Sequence, residues 1–315
     1  MERKFIVFFI LFIIMLCSYN KNALDDDINK VLTSENIKEE NKTIEEEKEP
    51  IMVAVNYQND TKKLDLEEYV FGVVSCEMPA SFEMEALKAM AVASRTFALY
   101  KLQSNENYVL SSTTSDQCYS SIDKLKSRWK DKYDTNYEKI KKAVAETKGK
   151  YISYNDKAIY AAYFSISNGY TENSEDVFVK KLPYLKSVNS SWDKNYSYKE
   201  SDKEYTVSEF LNRLGINDDK IENIKIEKCS HGRVDTIYVN NHKYKGTKFR
   251  TLLSLKSTDF EIKNINGKVI IHTKGYGHGV GMSQYGANEL AKQGKNYRDI
   301  INYYYQNVNI IEKNY

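Results

Sequence analysis

The sequence has few of the residues that build disulfide frameworks or metal sites. Its 315 residues include only four cysteines, four histidines, three prolines and two tryptophans, and no C-x-x-C pair occurs. One cysteine, Cys17, lies in an apolar run. The other three, Cys76, Cys118 and Cys229, are an odd number, which indicates partly buried free thiols rather than a disulfide framework. A zinc site that adds His231 to Cys118 and Cys229 is the alternative, and the missing C-x-x-C spacing argues against it.

The sequence also lacks a strong excess of charge of either sign. It contains 46 Lys or Arg and 44 Asp or Glu, a net charge of +2. The first fifty residues hold 7 Lys or Arg and 11 Asp or Glu, so residues 51–315 carry about +6. This mild basic excess suits an anionic polymer weakly. A dense basic stripe, a zinc finger, a helix-turn-helix signature and a basic zipper are all missing, so nucleic acid is not an expected partner.

The N-terminal region predicts the compartment. Two basic residues precede an uninterrupted apolar run over residues 5–17, and no A-x-A cleavage signal follows. Residues 1–19 are therefore predicted to be an uncleaved membrane anchor with its basic end in the cytoplasm, and a cleaved signal peptide is the alternative. Residues 20–50 are too charged to bury a face and are predicted to be an acidic, disordered linker. Residues 51–315 then form an extracytoplasmic domain.

Two helices are predicted on either side of a proline corner. Asp65 has the residue type and position of an N-cap for a helix that begins near Leu66. This helix should end near Glu77 because Pro79 cannot continue the hydrogen-bond ladder. Ser81 is the predicted cap of a second helix, whose apolar residues recur at helical spacing and include many alanines. Small side chains of this kind allow close packing in a crowded core.

Glu77 lies at this corner, where the pattern favours a buried apolar side chain. The stretch "VVSCEMPASF" places its carboxylate at the C-terminal end of a helix and among apolar residues. Both surroundings disfavour the negative charge and raise the pKa, which is what a general acid needs near neutral pH. A structural ion pair between Glu77 and Arg95 is the alternative interpretation.

The rest of the chain predicts a mixed α+β domain. Asn155-Asp156 and Asn266-Gly267 lie between β-rich stretches and predict hairpins. Thr206 with Glu209 predicts a capped helix that ends at Gly215.

A glycine-rich segment, "KGYGHGVGMSQYGANELAKQG", precedes another helix, predicted from about Ser283 to Gly294. Its glycines do not have the order of a dinucleotide fingerprint, but they allow a ligand to approach the backbone. His278 has little apolar cover there and is a candidate site residue.

Four segments together resemble the stage II sporulation protein D family, in the family's order and over about residues 51–312. They are "LEEYVFGVVSCEMPASFEMEALKAMAVASRTFALY", "YFSISNGYTENSEDVF", "PYLKSVNSSWD" and "GYGHGVGMSQYGANELAKQGKNYRDIINYYY". The resemblance implies a peptidoglycan lytic transglycosylase with a single α+β catalytic domain, in which a helix-turn-helix corner carries the acid. Hairpins are expected to form the substrate groove. Glu77 of the "EMP" motif is the implied catalytic acid, and the implied substrate is a glycan strand from which amidases have removed the stem peptides.

Six further residues are expected to line one groove around Glu77 and to bind substrate, because they lie behind the corner, on the strand entering a polar loop, or in the glycine-rich turn. They are Arg95, Tyr163, Ser165, Ser167, His278 and Gln284. Some relatives hold zinc with cysteine and histidine near the segment corresponding to "SSTTSDQCYSS". Only Cys118 is present there in this chain, so no cofactor or metal is predicted.

The resemblance also implies partners and a location. The domain is expected between the mother-cell and forespore membranes, anchored and acting after a sporulation amidase, in one complex with that amidase and a further membrane protein of the engulfment machinery. Two other classes of function remain open. One is a non-catalytic enhancer or recruiter of a cell-wall amidase, since amidase-enhancer proteins share the fold. The other is a carbohydrate-binding structural module with aromatic platforms such as Trp192.

Overall fold

The computed structural model describes residues 49–178, 180–196 and 200–313. The predicted anchor, residues 1–19, and nearly all of the predicted linker lie outside the described residues. In the described part of the chain, no helix is both long enough and apolar enough to cross a lipid bilayer.

The described residues combine helices with several small sheets, which confirms the predicted α+β class. The helices are α1 (Leu66–Glu77), α2 (Met84–Ser104), α3 (Ile122–Trp129), α4 (Tyr133–Ala145), α5 (Ser174–Val177), α6 (Val207–Leu214), α7 (Gly246–Leu252), α8 (Gln284–Lys292) and α9 (Tyr297–Tyr304). The strands are β1 (Met52–Tyr57), β2 (Asp60–Asp65), β3 (Val109–Ser111), β4 (Lys150–Tyr154), β5 (Lys157–Ala158), β6 (Tyr163–Phe164), β7 (Glu200–Thr206), β8 (Ile224–Lys228), β9 (Val234–Val239), β10 (His242–Lys245), β11 (Asp259–Ile265), β12 (Lys268–Lys274), β13 (Met282–Ser283) and β14 (Asn309–Glu312). They pair in the orders β2-β1-β3, β14-β4-β5, β13-β6, β10-β9-β8 and β11-β12-β7.

The first helix has the bounds that the sequence predicts. The Asp65 carboxylate accepts hydrogen bonds from the backbone amides of Glu67 at 2.8 Å and Glu68 at 3.3 Å, which confirms the N-cap. At the other end, the Met78 amide closes the last turn on the Val74 carbonyl at 3.0 Å. The helix then ends at Glu77, two positions before Pro79.

The second helix begins later than predicted, and Ser81 does not cap it. A turn over residues 79–82 intervenes, in which the Phe82 amide donates to the Pro79 carbonyl at 3.0 Å. Because this turn uses the backbone around Ser81, the helix starts at Met84 with Glu83 in the cap position and no side-chain cap. The prediction failed because residues 79–82 satisfy their backbone locally before a helix can begin.

The alanine-rich helix α2 is the centre of the main hydrophobic cluster. It packs against α1, α4, α8, α9 and β4. Ala86, Ala89, Ala91, Ala93 and Ala98 are all fully buried. Small side chains on several faces let these neighbours approach α2 closely, which brings the end of α1 and the start of α8 to one place.

A second hydrophobic cluster lies in the segment between β6 and β13 in sequence. It includes the stacked or edge-packed rings of Phe210, Phe249 and Phe260. Two sheets, β10-β9-β8 and β11-β12-β7, contribute to it together with α6 and α7.

The local turn and cap predictions in these regions are confirmed. Thr206 and Glu209 form a capping box on α6, and Gly215 takes the left-handed conformation at its end. The hairpins at residues 155–156 and 266–267 both have positive φ at their two central residues, as two-residue turns require.

Candidate active site

An open groove of about 350 Å³ contains the corner acid. Its lining comes from the end of α1, the end of α3, the segment after β6 and the start of α8, and comprises Ser75, Cys76, Glu77, Met78, Pro79, Arg128, Trp129, Ser165, Gln284 and Tyr285. None of these residues belongs to a hairpin, so the expectation that hairpins form the groove is wrong. Helix ends line the groove instead, because α1 and α8 both pack against α2.

The Glu77 carboxylate is partly buried and accepts three hydrogen bonds. Its Oε1 accepts from the Cys118 amide at 2.8 Å and from the Tyr163 hydroxyl at 3.3 Å, and its Oε2 accepts from the Gln284 side-chain amide at 3.0 Å. Burial raises the pKa of Glu77, and the three donors oppose this without cancelling it. The direction agrees with the sequence prediction, and the acid can hold its proton at higher pH than an exposed glutamate.

A chain of buried polar groups stands behind Oε1. The Tyr69 hydroxyl donates to the Gln117 side-chain carbonyl at 3.0 Å, and the Gln117 side-chain amide donates to the Tyr163 hydroxyl at 3.0 Å. Burial raises the pKa of Tyr69 and of Tyr163 well above the ordinary tyrosine value. Both therefore stay protonated, and Tyr163 can only donate to Glu77.

A disulfide joins Cys76 to Cys118, so the prediction of free thiols is wrong for this pair. Cys229 is free, which explains the odd count. Counting residues could not identify the pair, because the two cysteines are 42 positions apart and meet only when the loop after β3 docks on α1. The bond ties that loop beside Glu77 and places the amide of Cys118 on its carboxylate.

Gly72 allows the same loop to dock closely. A Cβ atom at position 72 would lie 2.2 Å from the ring of Tyr119, and the Ser120 amide donates to the Gly72 carbonyl at 3.2 Å. The Tyr119 ring also stacks on Tyr69 with 5.9 Å between centroids. A side chain at position 72 would thus displace the loop that carries Cys118.

The parallel pair β6 and β13 brings Gln284 to Tyr163. Met282 lies opposite Tyr163 in this pair, so α8 starts directly beside the strand. Gly281 permits the approach, because a Cβ atom there would lie 2.0 Å from the Ala162 carbonyl oxygen. Of the six expected substrate-binding residues, Tyr163 and Gln284 contact Glu77, and Ser165 lines the groove.

Arg95 is not brought to Glu77. Its side chain is fully buried and forms a two-bond ion pair with Glu67, at 2.7 Å to Oε1 and 2.5 Å to Oε2. It also donates to the Lys150 carbonyl at 3.0 Å. The expectation that Arg95 lines the groove is therefore wrong. A shift of one residue position turns a side chain by about 100° around the axis of α2, and the position of Arg95 faces the interior.

Ser167 also points into the interior, where it belongs to a buried polar cluster. Its hydroxyl donates to the Ser190 carbonyl at 2.9 Å, and its amide donates to Asp193 Oδ2 at 2.8 Å. The Ser283 hydroxyl, the N-cap of α8, donates to the same Asp193 oxygen at 2.6 Å. Burial raises the pKa of Asp193 to about 6. Ser167 thus helps to fix the start of α8 and does not line the groove.

His278 is partly buried between the rings of Phe164 and Phe178, with centroids 5.8 and 5.4 Å away. Its Nδ1 accepts from the Val280 amide at 3.1 Å. Burial, helped by Arg250 and Arg233, lowers the pKa of His278 to about 3, so the ring is neutral. It is not among the groove-lining residues and packs beside β6 instead.

Among the groove-lining residues that sequence reasoning did not name as site residues are Arg128, Trp129 and Tyr285. The Arg128 guanidinium donates to the Ser75 carbonyl in the last turn of α1. Its position at the end of α3 depends on the packing of that short helix, for which the pattern "KLKSRWKDK" holds no specific signal. The expected platform Trp192 packs against Tyr303 and donates to the Tyr304 hydroxyl at 3.3 Å.

The residues considered for zinc do not fit a metal. Cys118 is in the disulfide and has no thiolate to offer, and burial raises the pKa of the Cys229 thiol to about 11. Within the ranges that the structure describes, no group of three or more His, Cys, Asp or Glu side chains could hold an ion.

Comparison with known proteins agrees with this architecture. A family model described as SpoIID, stage II sporulation protein, matches residues 55–154, which include Glu77, Cys118 and Arg128. The stage II sporulation protein D of Bacillus amyloliquefaciens is 42% identical over 279 residues, which cover 86% of this chain and 81% of that protein. That of Bacillus subtilis (strain 168) is 44% identical over 260 residues, covering 80% and 76%. An amidase enhancer of Bacillus subtilis is 31% identical over 293 residues, 74% of this chain and 39% of that protein.

The fold places the chain among mixed α+β proteins, and its groove holds one partly buried acid at a helix corner. The extent and identity of these matches show that the chain belongs to the stage II sporulation protein D family, a family of sporulation proteins.

Proposed function

We propose that this protein is a lytic transglycosylase that cleaves peptide-free peptidoglycan strands during engulfment. The observation that carries the proposal is Glu77, a carboxyl with a raised pKa in an open groove. Among the described residues that line this groove, no second carboxylate occurs. Glycoside hydrolysis ordinarily needs two carboxyl groups, whereas formation of an anhydro sugar can use one group twice.

The reaction has two proton transfers at the same carboxyl group. Protonated Glu77 donates its proton to the glycosidic oxygen between C1 of N-acetylmuramic acid and N-acetylglucosamine, and the C1–oxygen bond breaks. The C6 hydroxyl of the same muramic acid then attacks C1, and its proton passes to the Glu77 carboxylate. The products are a 1,6-anhydro end and a free hydroxyl on N-acetylglucosamine. No water is consumed and the acid is regenerated.

The surrounding donors suit both protonation states of Glu77. Tyr163, Gln284 and the Cys118 amide hold the carboxylate in one orientation and stabilise it after the first transfer. Burial keeps the pKa raised, so the protonated form is available for the first transfer. These three hydrogen bonds fix the orientation of the Glu77 carboxyl, and together with burial they give it a pKa suited to acid–base catalysis.

Product analysis tests the proposal. The full-length chain is incubated with amidase-treated peptidoglycan, and the fragments are measured by mass spectrometry. Anhydro ends are the expected result. Ends heavier by one water would show hydrolysis, and intact strands would contradict any cleavage.

Glu77→Gln should reduce strand cleavage by about 10²-fold or more, because the amide keeps the shape of the side chain but cannot donate a proton to the glycosidic oxygen. The variant should melt no lower than the wild type at neutral pH. The raised pKa means that the ionised Glu77 costs the folded state stability, and this cost appears as pH rises through the folded pKa. Equal turnover in the two proteins would refute the assignment of the acid.

A second function is suggested by the amidase-enhancer relative: recruitment or stimulation of a cell-wall amidase. It predicts that this chain accelerates an amidase on intact peptidoglycan and that Glu77→Gln accelerates it equally. Measuring stem-peptide release and anhydro ends in the same reaction separates the two functions.

A further inference from the structure

The groove beside Glu77 contains a cation that the proposed acid–base chemistry does not use. Among the groove-lining residues that the structure describes, only Glu77 and Arg128 carry charge. Arg128 is exposed at the C-terminal end of α3, and it forms no ion pair with any carboxylate in the described ranges. The guanidinium fork of an arginine matches the geometry of a carboxylate, so an arginine in a groove without an ion pair is available to an anionic ligand.

The guanidinium is held in place by two contacts. One of its nitrogens donates to the Ser75 carbonyl, two residues before Glu77, and the group lies over the Trp129 ring at 5.6 Å from the centroid. A guanidinium has five N–H donors in a planar fork, so this arrangement leaves donors for a ligand. The carbonyl contact ties the cation to the same helix end that carries the acid.

The proposed substrate has a matching anion at one fixed place. Each muramic acid carries a lactyl ether, and its carboxylate is free only where an amidase has removed the stem peptide. With the stem attached, the same carbon is in a neutral amide. An arginine binds a carboxylate through two parallel charge-assisted hydrogen bonds, and an amide oxygen cannot accept them with equal strength.

We propose, resting on the proposed function, that Arg128 is a specificity-determining residue that binds the lactyl carboxylate of a muramic acid in the groove. The pocket thereby distinguishes peptide-free strands from strands that still carry stems. Arg95 cannot supply this contact, because it is fully buried and already paired with Glu67. Among the described residues that line the groove, Arg128 is the remaining cation.

Binding measurements in a non-cleaving background test the inference. Full-length Glu77→Gln and the double variant Glu77→Gln/Arg128→Gln are titrated with a peptide-free glycan oligomer and with the same oligomer whose lactyl carboxylates are methylamides. The single variant should bind the free-acid oligomer about tenfold more tightly than the methylamide oligomer. This is the size of preference expected for a charge-assisted hydrogen-bonded pair that is partly shielded from water. The double variant should bind both oligomers with the weaker affinity. Raising the salt concentration should shrink the preference of the single variant.

Arg298→Gln in the same background is the matched control, because Arg298 is an exposed arginine that lies over its neighbour Tyr297 at 5.2 Å and is outside the groove. It should keep the preference. Arg128→Lys should keep only part of it, since lysine retains the charge without the paired donors. A stem-bearing oligomer separates the two sources of carboxylate: if it binds as tightly as the free acid through Arg128, a peptide carboxylate is the ligand and the inference is wrong.

The outcomes separate this inference from the proposed reaction. A double variant that still prefers the free acid overturns the role of Arg128, even if the wild type cleaves strands. An Arg128-dependent preference without any cleavage by the wild type supports the carboxylate site and refutes the transglycosylase. If Arg128→Gln lowers the melting temperature, the binding test is made with Arg128→Lys instead. An undiminished preference of that variant for the free-acid oligomer contradicts the inference.

Discussion

At the scale of single residues, Glu77 is governed by two opposing effects. Burial disfavours its charge, while the Cys118 amide, Gln284 and Tyr163 favour it. Burial is the larger effect, so the pKa is raised. The donors nevertheless limit how far it rises, and each of them is a separate means of tuning the acid.

Gln284→Ala should move the alkaline limb of the pH–activity profile to higher pH. The proposed reaction needs protonated Glu77, so its rate should fall as pH rises through the pKa of that carboxyl. The Gln284 amide lowers that pKa by hydrogen bonding to the carboxylate, so its removal raises the pKa further. Strand cleavage measured across pH checks this. Gln293→Ala, an exposed amide just after the same helix, should leave the limb in place. A shift to lower pH would contradict the account.

At the scale of elements, the site depends on a loop clamped to a helix end. The disulfide, the Tyr119 ring over Gly72 and the Ser120 backbone bond all hold residues 118–120 against α1. This clamp positions one of the three donors to Glu77. The stability of the clamped loop and the acidity of Glu77 are therefore linked, with the Cys76–Cys118 bond as the covalent part of the clamp.

Replacing both Cys76 and Cys118 with serine should lower the free energy of unfolding by about 2–5 kcal/mol. The chain-entropy estimate for a closed loop of this length is about 4 kcal/mol. Cleavage should also fall, because the Cys118 amide is less firmly held on Glu77. Denaturant unfolding and turnover measure the two effects, and reduced wild type should behave like the double variant. Cys229→Ser, which changes the free thiol, is the control. Unchanged stability on reduction would show that the bond does not contribute.

At the scale of the whole molecule, we propose that residues 1–19 anchor the domain outside the membrane and that residues 20–50 are a tether. A flexible coil of about thirty residues has a root-mean-square reach of about 30 Å, which lets a tethered domain search the nearby wall. An anchored enzyme of this kind would act on strands next to its own membrane, after the amidase.

Removing residues 1–20 should spare cleavage of soluble peptide-free glycan and impair engulfment in the cell. The groove is formed within residues 75–285, so the proposed reaction should not need the proposed anchor. Engulfment is scored by microscopy in sporulating cells, with the truncated and full-length proteins both exported through another signal. Equal engulfment would show that the N-terminal segment serves export alone.

The sequence by itself determined the features that depend on neighbouring residues. The Asp65 cap, the end of α1 before Pro79, the capping box at Thr206 and the two Asn-initiated hairpins follow from local chemistry, and the structure has all of them. The direction of the Glu77 pKa shift was also predicted from its apolar neighbours in the chain, although the groups that contact its carboxyl, the Cys118 amide, Tyr163 and Gln284, come from distant segments. Long characteristic motifs, which are also runs of neighbouring residues, identified the family.

Only the tertiary structure decided which distant residues meet. Cys76 pairs with Cys118, Arg95 turns inward to Glu67, and Arg128 reaches the groove. Each outcome depends on how helices and loops that are distant in sequence pack, and a shift of one residue position moves a helical side chain by about 100° around the helix axis. Burial of side chains and docking of loops are collective results of packing, so residue counts and spacing alone could not determine them.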